Sequence, residues 1–380
     1  MAESVVEWGD LPEELVTRIA RCLDAGIDVL RFRSVCTSWR SSIPPFRKIS
    51  PSWPRFPSVL SSEEDDFLFI PGGAFFSQRT IYRLERVGEN PNPSESSPSK
   101  GWMINVEESG HGKIRLLNPF SGLRIRFIPE SFPKVINLLD FRIVEVTKAY
   151  KLQNSSIPSP SDVSKVALFP NSESIPVEES VIFALYHEGK LGYAKYGDEK
   201  WSLVDDHNFD YDDMMVYKGQ FYVVDRWGTI SWIDSSLNLI QFSPLLCGEG
   251  SQKHLVESCG ELYVVDRYFN RKPRRRDQNP ILHEHLPRLE TVDFRVYKLD
   301  QEWAKWVRVN NLGDRVFILG NDCSFSVSAP EFAGCEGNQI YFADEKHMSV
   351  FNLKTCSIGK IPHFPDYSLF CHPNLWSSPN

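Results

Sequence analysis

The chain has 380 residues, with 42 basic against 50 acidic side chains, a formal net charge of −8 and a pI near 5.7. This acidic balance argues against direct binding to nucleic acid, which needs a basic excess or stripe. The 41% hydrophobic content is enough for a folded core, and no apolar run approaches the roughly 18 residues of a membrane-spanning helix.

The first predicted elements are three short helices between residues 10 and 43. Pro12 fits the first turn of a helix, where its missing N–H costs nothing. Apolar residues then recur every four positions, which gives this helix one apolar face. Gly26 ends it, Asp28 is placed to cap a second helix, and Val35 begins a third. A unit this small buries too little surface to form a core by itself. Its apolar side chains must therefore be covered by another protein or by the rest of the chain.

This segment resembles the F-box, the module that docks on the Skp-type adaptor of SCF ubiquitin ligases. The resemblance rests on the order and spacing of Leu11-Pro12, Glu14-Leu15, Ile19, Leu23, Asp28-Val29-Leu30, Arg33, Val35-Cys36 and Trp39-Arg40. It implies that the adaptor contacts, or the core that holds them in place, are supplied by Leu11, Pro12, Leu15, Ile19, Leu23, Leu30, Val35, Cys36 and Trp39. It also implies a cullin as a partner reached through the adaptor. The predicted boundaries are 1–45 for the F-box and 46–65 for a linker.

The cysteines and the first residues indicate the compartment. The eight cysteines include no C-x-x-C pair and are too sparse for a disulfide framework. The first ten residues are acidic and do not resemble a secretory signal. We therefore expect reduced thiols and a nuclear location, a cytoplasmic location, or both.

Beyond about residue 50 the pattern changes to short alternating apolar runs separated by Gly, Pro, Asn and Asp, which predicts β-strands. Three segments, 221–225, 262–266 and 340–344, share the pattern apolar-Tyr-apolar-apolar-Asp. In the first and third, an aromatic residue follows the tyrosine by ten positions. In the second, the matching Tyr297 comes 24 positions later than that. We interpret this as one repeat with an insertion, residues 270–293, between its second and third strands.

Each repeat is predicted to hold four strands, which in the first repeat lie at residues 214–217, 220–225, 229–233 and 237–242. Such a unit, repeated about every 40–50 residues, is typical of a β-propeller blade. Counting backwards, residues 181–204 form another blade, 102–128 one more, and 67–86 a degenerate first one. The predicted fold is mainly β: a three-helix F-box, then a propeller of about six, or seven, four-stranded blades over residues 66–365 and a tail at 366–380.

Several stretches of the second region resemble plant F-box proteins with the DUF295 C-terminal region, a kelch-like propeller. These stretches are GWMINVEESG, IRLLNPFSGLRIRFIP, MVYKGQFYVVDRWG, ELYVVDRY, and LGDRVFILGNDCSFSV followed by CEGNQIYFADE. The resemblance runs from about Trp53 to the end of the chain. It implies that the propeller carries a protein substrate for ubiquitination, whose identity no linear motif reveals.

The other features of the sequence predict no catalytic residue, metal or cofactor. His283-Glu284-His285 has no third ligand nearby in sequence. The acidic run at residues 205–213 lacks the glycine and the final glutamate of a calcium loop and is interpreted as a solvated loop. The aspartate that ends each repeat (Asp225, Asp266, Asp344) is predicted to bind its own turn rather than to line a channel with carboxylates.

The strongest charge feature is the run that contains Arg271, Lys272, Arg274, Arg275 and Arg276. It is a nuclear-import signal, a contact for an acidic partner or substrate, or a solvated loop.

Three functions remain open from the sequence. The first is the substrate-recognition subunit of an SCF-type ligase, which has no catalytic residues of its own. The second is a propeller that sequesters a partner without degradation. The third is a propeller hydrolase, which needs carboxylates that converge in a central channel.

Overall fold

A computed structural model describes residues 8–20, 22–23, 26–42, 59–60, 68–69, 74–86, 101–108, 114–118, 122, 141–154, 163–170, 179–186, 189–195, 197–198, 201–205, 210–246, 248–272, 288–300, 302, 304–332, 335–344 and 347–360. A 3₁₀ turn at Trp8–Asp10 precedes three helices, α1 (Glu13–Ala20), α2 (Gly26–Val35) and α3 (Thr37–Ser42). Pro12, predicted to lie in the first turn of this helix, directly precedes α1, and its carbonyl oxygen accepts the backbone N–H groups of Leu15 at 3.0 Å and Val16 at 3.1 Å.

The boundary between the second and third helices differs from the prediction. Gly26 begins α2, and Asp28 lies within its first turn, where its carboxylate pairs with Arg31 at 3.0 Å. Val35 ends α2 instead of beginning α3. Asp28 therefore lies inside the helix and is not its cap residue, contrary to the prediction.

The strands start with a small pair, β1 (Val59–Leu60) and β2 (Leu68–Phe69). The next eight are β3 (Ala74–Arg86), β4 (Trp102–Glu108), β5 (Ile114–Leu117), β6 (Phe141–Asn154), β7 (Val163–Phe169), β8 (Val181–Tyr186), β9 (Lys190–Lys195) and β10 (Ser202–Leu203). They form one sheet in the order β10-β9-β8-β7-β6-β3-β4-β5. Since β6 and β7 share a single described rung, Tyr150 opposite Val166, we treat β3–β6 as unit I and β7–β10 as unit II.

Three further sheets follow in chain order. Unit III holds β11 (Tyr211–Tyr217), β12 (Gln220–Asp225), β13 (Ile230–Ile233) and β14 (Leu239–Gln241). Unit IV holds β15 (Gln252–Ser258), β16 (Glu261–Lys272), β17 (Arg288–Asp300) and β18 (Lys305–Val309). Unit V holds β19 (Arg315–Leu319), β20 (Ser324–Ser328), β21 (Gln339–Asp344), β22 (His347–Asn352) and β23 (Ser357–Lys360), in the order β20-β19-β21-β22-β23. The described pairs are antiparallel except β19 with β21.

The core lies between successive units, because each sheet covers the apolar face of the next. Phe183 of unit II stacks on Phe221 of unit III with ring centroids 4.1 Å apart. Unit V also packs against unit I. Other pairs that share one buried cluster are Tyr150 and Trp201 of units I and II, Val224 and Leu255 of units III and IV, Phe294 and Phe342 of units IV and V, and Phe325 and Ile81 of units V and I.

The repeat predicted from the sequence is confirmed in units III and IV. In unit III, Tyr222 lies directly opposite Trp232 across β12 and β13. In unit IV, Tyr297 lies opposite Val264, while Tyr263, its predicted match, lies opposite Lys298. The insertion therefore separates the second and third strands, and the predicted match is off by one residue. The ends of that insertion are strand, since β16 continues to Lys272 and β17 begins at Arg288.

The prediction of a separate degenerate first blade is wrong. β3 comes from that segment and pairs with β4, with Thr80 opposite Val106, and also with β6 along its whole length. At 13 residues, β3 is long enough to serve as an inner strand for both neighbours, so the two predicted blades merge into unit I. The count of about six or seven blades stays a prediction.

Candidate functional site

The N-terminal helices hold a core that is small for the apolar surface they carry. The rings of Phe32 in α2 and Trp39 in α3 lie 4.4 Å apart between centroids, which joins these two helices. The buried members of the core are Val16, Ala20 and Phe32, with Leu11, Leu23 and Trp39 packed against them.

Outside that core, large apolar side chains face solvent. Leu15 and Ile19 of α1 expose 48% and 41% of their surface, and Val35 at the end of α2 exposes 53%. Leu15 and Ile19 are four residues apart and so lie on one side of α1. Trp8 exposes 66%, and its carbonyl oxygen accepts a hydrogen bond from Nε1–H of Trp39 at 3.1 Å. We call Trp8, Leu15, Ile19 and Val35 the apolar helical face; so much exposed apolar surface on so short a segment indicates a binding surface.

The predicted adaptor-binding residues divide into an exposed group and a supporting group. Pro12, Leu15, Ile19 and Val35 are exposed, while Leu11, Leu23 and Trp39 support the helices from within. Cys36 is half-buried, and its Sγ accepts the backbone N–H of Trp39 at 3.5 Å. Leu30 lies in α2, and its side chain is outside the described part of the structure. Sequence reasoning missed Trp8, because it precedes the first periodic apolar position.

The helices meet the sheets through α2. Nη2 of Arg31 donates a hydrogen bond to the carbonyl oxygen of Ile143 in β6 at 2.6 Å. Ile143 itself packs in a cluster with Leu84 and Trp102 of unit I. This contact leaves Leu15 and Ile19 of α1 open to solvent.

Two residues of the acidic run join units III and IV, so the prediction of a solvated loop is wrong for them. Oδ2 of Asp212 accepts the backbone N–H of Lys253 at 2.7 Å, and Oδ2 of Asp213 accepts that of Leu255 at 2.8 Å. β15 is an edge strand, so these N–H groups have no ladder partner in their own sheet. A register shift in β11 between Tyr211 and Asp213 presents both carboxylates to that edge. Burial raises the pKa of Asp212 to about 6, against the hydrogen bond from Lys253.

Carboxylates between the units are engaged by basic groups. Asp213 pairs with Lys165 of unit II, and Asp322 of unit V pairs with Arg79 of unit I. Nε of Arg79 also lies 3.4 Å from Oε1 of Glu107. A glycoside hydrolase needs carboxyl groups free to exchange a proton or attack a substrate. Asp213 and Asp322 instead link neighbouring units, and Glu107 pairs with Arg79 within unit I.

The repeated aspartates play different roles. Oδ1 of Asp225 accepts the backbone N–H groups of Trp227 at 2.9 Å and Thr229 at 2.8 Å, so the predicted turn-binding role is confirmed there. At Asp266 that prediction is wrong. Its carboxylate is fully buried, 2.8 Å from the equally buried Nζ of Lys253, and it also accepts the N–H of Gly250.

The approach of Gly250 to this ion pair explains its residue type. A Cβ at that position would lie 1.9 Å from Oδ1 of Asp266, so a side chain there would displace the carboxylate. The side chain of Asp344, the third repeated aspartate, lies outside the described part of the structure.

Two further buried groups have pKa values that burial shifts. Burial lowers the pKa of His254 to about 4, which keeps its imidazole neutral. Burial raises the pKa of the Cys323 thiol to about 12, and a protonated thiol is a poor nucleophile.

The remaining sequence candidates are only partly described. Arg271 and Lys272 occupy the last two rungs of β16, opposite Leu289 and Arg288. Residues 274–276 and 283–285 lie outside the described residues. Within the described part of the chain, no group of three or more His, Cys, Asp or Glu residues is arranged to hold a metal ion. The described helices include none with the length and apolar character needed to cross a membrane.

Comparisons with known proteins match both regions of the chain. Residues 8–45 match the F-box-like family model, and residues 74–352 match the KIB1-4 beta-propeller model. The Arabidopsis thaliana F-box protein At1g65770 is 33% identical over 355 residues, which cover 92% of each protein. F-box protein SKIP23 of the same plant is 29% identical over 412 residues, which cover 98% of this chain and 96% of SKIP23.

Solved structures show only a weak likeness to this chain. A Synechocystis apocarotenoid oxygenase mutant is 10% identical and aligns over 77% of this chain and 82% of its own, with a TM-score of 0.28.

Proposed function

Because the chain belongs to the F-box proteins that carry a KIB1-4 β-propeller, we propose that it is the substrate-recognition subunit of an SCF-type ubiquitin ligase. The observation that carries the proposal is the apolar helical face. Leu15, Ile19 and Val35 stay exposed although the sheet body lies against α2 and offers apolar surface of its own. An exposed apolar surface of this kind marks a site that a partner protein covers.

The partner in this proposal is a Skp-type adaptor, through which the chain reaches a cullin. Full burial of one large aliphatic side chain is worth roughly 1.5–3 kcal/mol, so a few such anchors dominate a protein interface. The supporting residues Leu11, Leu23 and Trp39 act indirectly, because they hold α1 and α3 in place beneath the exposed residues. Ubiquitin transfer would belong to other subunits, and this chain would supply proximity to a target.

In this proposal the propeller binds the target protein. The protein would act in the nucleus, in the cytoplasm, or in both. The described cysteines are all free, which fits a reducing compartment. We retain the basic run around Arg271 as a candidate for target contact or nuclear import. A propeller that only sequesters its target would have no use for the apolar helical face, so the ligase role is favoured.

The test is adaptor binding by a variant that changes only the exposed face. The double variant Leu15→Ser, Ile19→Ser removes two anchors and leaves the buried core of the helices unchanged. We expect affinity for a purified Skp-type adaptor to fall by about 100-fold, since about 3 kcal/mol of apolar contact is lost. A matched control is Val307→Ser, Ile358→Ser, which changes two similarly exposed apolar residues on edge strands of the body.

The control should bind the adaptor like the unchanged chain. Full adaptor affinity in the Leu15→Ser, Ile19→Ser variant would overturn the proposal, as would a lack of binding by the unchanged chain. The half-life of a bound target then distinguishes the ligase role from the sequestration role. If deletion of residues 10–43 leaves the half-life of a bound target unchanged, the sequestration role is correct.

A further inference from the structure

Three polar side chains meet where unit IV contacts unit V. Ser258 ends β15, Arg315 begins β19, and Ser326 lies in the middle of β20. The two serine Oγ atoms are 2.9 Å apart, and Nε of Arg315 lies 3.2 Å from Oγ of Ser258 and 3.0 Å from Oγ of Ser326. Ser258 is buried, whereas Arg315 and Ser326 are half-buried and reach solvent. We call these three residues the arginine–serine cluster.

The arginine–serine cluster has more hydrogen-bond donors than acceptors. The single Nε–H of Arg315 is shared between the two hydroxyl oxygens, and one hydroxyl donates to the other. Each serine hydroxyl has one proton, so one proton of the pair is left without an acceptor among the described residues. The N–H groups on the two Nη atoms of Arg315 also find no acceptor in the described part of the chain. The cluster is therefore short of oxygen atoms that accept hydrogen bonds.

Arg315 also lacks the counter-charge that other cations between the units have. Arg79 pairs with Asp322 across units I and V, and Lys165 pairs with Asp213 across units II and III. Among the residues that the structure describes, no carboxylate pairs with Arg315. A charged group that is partly removed from water needs a compensating partner. The group that the cluster lacks is therefore an anion.

The acidic residues adjacent in sequence are engaged elsewhere. Asp314, which precedes Arg315, accepts the hydroxyl proton of Ser328 at 2.7 Å. Glu257, which precedes Ser258, accepts a backbone N–H of the β15–β16 turn at 2.7 Å. Because successive side chains of a strand point to opposite faces, Glu257 lies on the other side of β15 from Ser258. Neither carboxylate supplies the missing acceptor.

The backbone fixes the position of the guanidinium group. Arg315 lies opposite Ser328 on the neighbouring strand β20. Its N–H donates to the carbonyl oxygen of Leu312 at 3.1 Å, and its own carbonyl oxygen accepts the N–H of Asn338 at 2.9 Å. The two serine hydroxyls then hold Nε, so the Nη atoms form a donor pair that is already in place. A side chain held in this way loses little conformational entropy when it binds a ligand.

Apolar side chains flank the arginine–serine cluster. Phe317 follows Arg315 by two residues on β19 and therefore lies on the same face of the strand. Its ring centroid is 5.3 Å from that of Tyr263 in β16, and Val256 of β15 packs in the same buried cluster. Water screens a charge less beside apolar surface than in open solution. An anion next to Arg315 would therefore be held more strongly than at a fully exposed arginine.

The set of donors indicates which anion fits. The Nη atoms of an arginine form a planar fork that matches two oxygens of a carboxylate or a phosphate. The remaining hydroxyl proton of the serine pair adds a third donor group beside this fork. A carboxylate has two oxygens, whereas a phosphate carried on an organic group has three acceptor oxygens and more negative charge near neutral pH. Three donor groups therefore favour a phosphate.

We propose that the arginine–serine cluster is an anion-binding site for a phosphate group, bound by both Nη atoms of Arg315 and by one hydroxyl of the Ser258–Ser326 pair. A phosphate there would join unit IV to unit V, because both units supply donors. The phosphate is either the free ion or a group carried by a side chain of a bound protein. The site belongs to the sheet body, so the inference does not depend on adaptor binding by the helices.

The probe is inorganic phosphate, titrated against the full chain in a chloride buffer and followed by the line width of its phosphorus NMR signal. We expect phosphate to bind, and its affinity to fall as the concentration of sodium chloride rises. Acetate, the carboxylate control, should bind at least tenfold more weakly. A short peptide with one phosphoserine then distinguishes the two sources of phosphate. Tighter binding of this peptide than of the free ion assigns the site to a phosphorylated protein, and weaker binding assigns it to free phosphate.

Two variants locate the bound phosphate. Arg315→Gln removes the charge and should weaken phosphate binding about tenfold or more, as expected for the loss of charge-assisted hydrogen bonds. Ser326→Ala removes one hydroxyl and leaves Nε its contact with Ser258, so we expect a smaller loss, about threefold or more. Arg308→Gln, which changes an exposed arginine of β18, is the matched control and should leave binding unchanged. Thermal unfolding of each variant shows whether it is folded.

The proposal would be overturned if phosphate did not bind to the unchanged chain, or if neither Arg315→Gln nor Ser326→Ala weakened its binding. An equal loss in Arg308→Gln would also overturn it, because the attraction would then be general and not local. Acetate binding as tight as phosphate binding would reject phosphate as the ligand class. If Arg315→Gln does not fold, Ser326→Ala decides the question, and full phosphate affinity in that folded variant would reject the site.

Discussion

The N-terminal helices and the sheet body place apolar and charged side chains in opposite ways. In the helices, Leu15 and Ile19 remain exposed around a small core. In the body, the apolar face of each sheet is covered by its neighbour, and the charged groups of Lys253 and Asp266 are fully buried between elements.

This contrast indicates where each region obtains its stability. The body covers the faces of its sheets and pairs Lys253 with Asp266 internally, so its stability depends on its own packing. The helices leave apolar surface uncovered, so part of their stabilisation must come from a partner. Three predictions test that division: two substitutions whose effects are measured on both regions, and a pH profile of the buried groups of the body.

The largest effect is expected at the buried ion pair of the body. Asp266→Ala leaves the Lys253 ammonium buried without its counter-charge, and we expect the free energy of unfolding to fall by about 3–5 kcal/mol. The measurement is denaturant unfolding of the body followed by tryptophan fluorescence, with adaptor affinity determined on the same sample. Adaptor affinity should not change under native conditions.

Asp225→Ala is the matched control, because Asp225 holds the same position in the neighbouring repeat. It binds two N–H groups of its own turn, so we expect its loss to cost about 1–2 kcal/mol. Equal losses in the free energy of unfolding for the two variants would mean that the buried pair with Lys253 adds nothing to stability. A loss of adaptor affinity would contradict the division between the two regions.

These two aspartates also show how far the sequence could be interpreted. The repeat pattern located β12 and β16 and paired Tyr222 with Trp232, because strand periodicity is a local signal. The repeat pattern could not distinguish the role of Asp225 from that of Asp266, because the partner of Asp266 is a lysine from the preceding strand. The register places that lysine directly opposite Asp266, and Gly250 leaves room for the carboxylate.

The same limit applies to other differences between prediction and structure. The acidic run was predicted to be a solvated loop. The contact of Asp212 and Asp213 with β15 could not be predicted, because the register shift that turns these residues toward β15 depends on how two sheets meet. The merging of two predicted blades into unit I depends on β3 having partners on both edges. In the helices, by contrast, the four-residue spacing of Leu15 and Ile19 was enough to predict a shared face.

An intermediate effect is expected from acidification of the body. Burial lowers the pKa of His254 from 6.5 to about 4, with Asp213 opposing the shift and Arg267 and Lys165 adding to it. The folded state therefore binds fewer protons than the unfolded state between these values. Stability from this group is complete above pH 6.5 and is lost as pH falls toward 4, by an amount on the order of 3 kcal/mol.

Asp212 changes the stability of the body with pH in the opposite direction, so its contribution must be measured separately from that of His254. Its folded pKa is raised from 3.8 to about 6, so the penalty for its charge is fully present above pH 6 and is relieved as pH falls toward 3.8. Denaturant unfolding between pH 4 and 7 should show a smaller acid loss in His254→Gln than in the unchanged chain, and a larger one in Asp212→Asn. Parallel profiles for all three proteins would contradict the assignment of these groups.

The smallest effect is expected at Arg31, which joins the two regions. Its hydrogen bond to the carbonyl oxygen of Ile143 comes from a side chain that is 46% exposed, so solvent screens it and we expect its loss to cost about 1 kcal/mol or less. Arg31→Ala should raise the hydrogen exchange rate of α2 amides in the chain without adaptor, while the unfolding of the body stays unchanged. Arg18→Ala, an exposed arginine of α1, is the control and should alter neither measurement. If Arg31→Ala destabilises the body as much as the helices, the two regions unfold as one cooperative unit, and the apolar helical face is then held in place by the sheets rather than by its own small core.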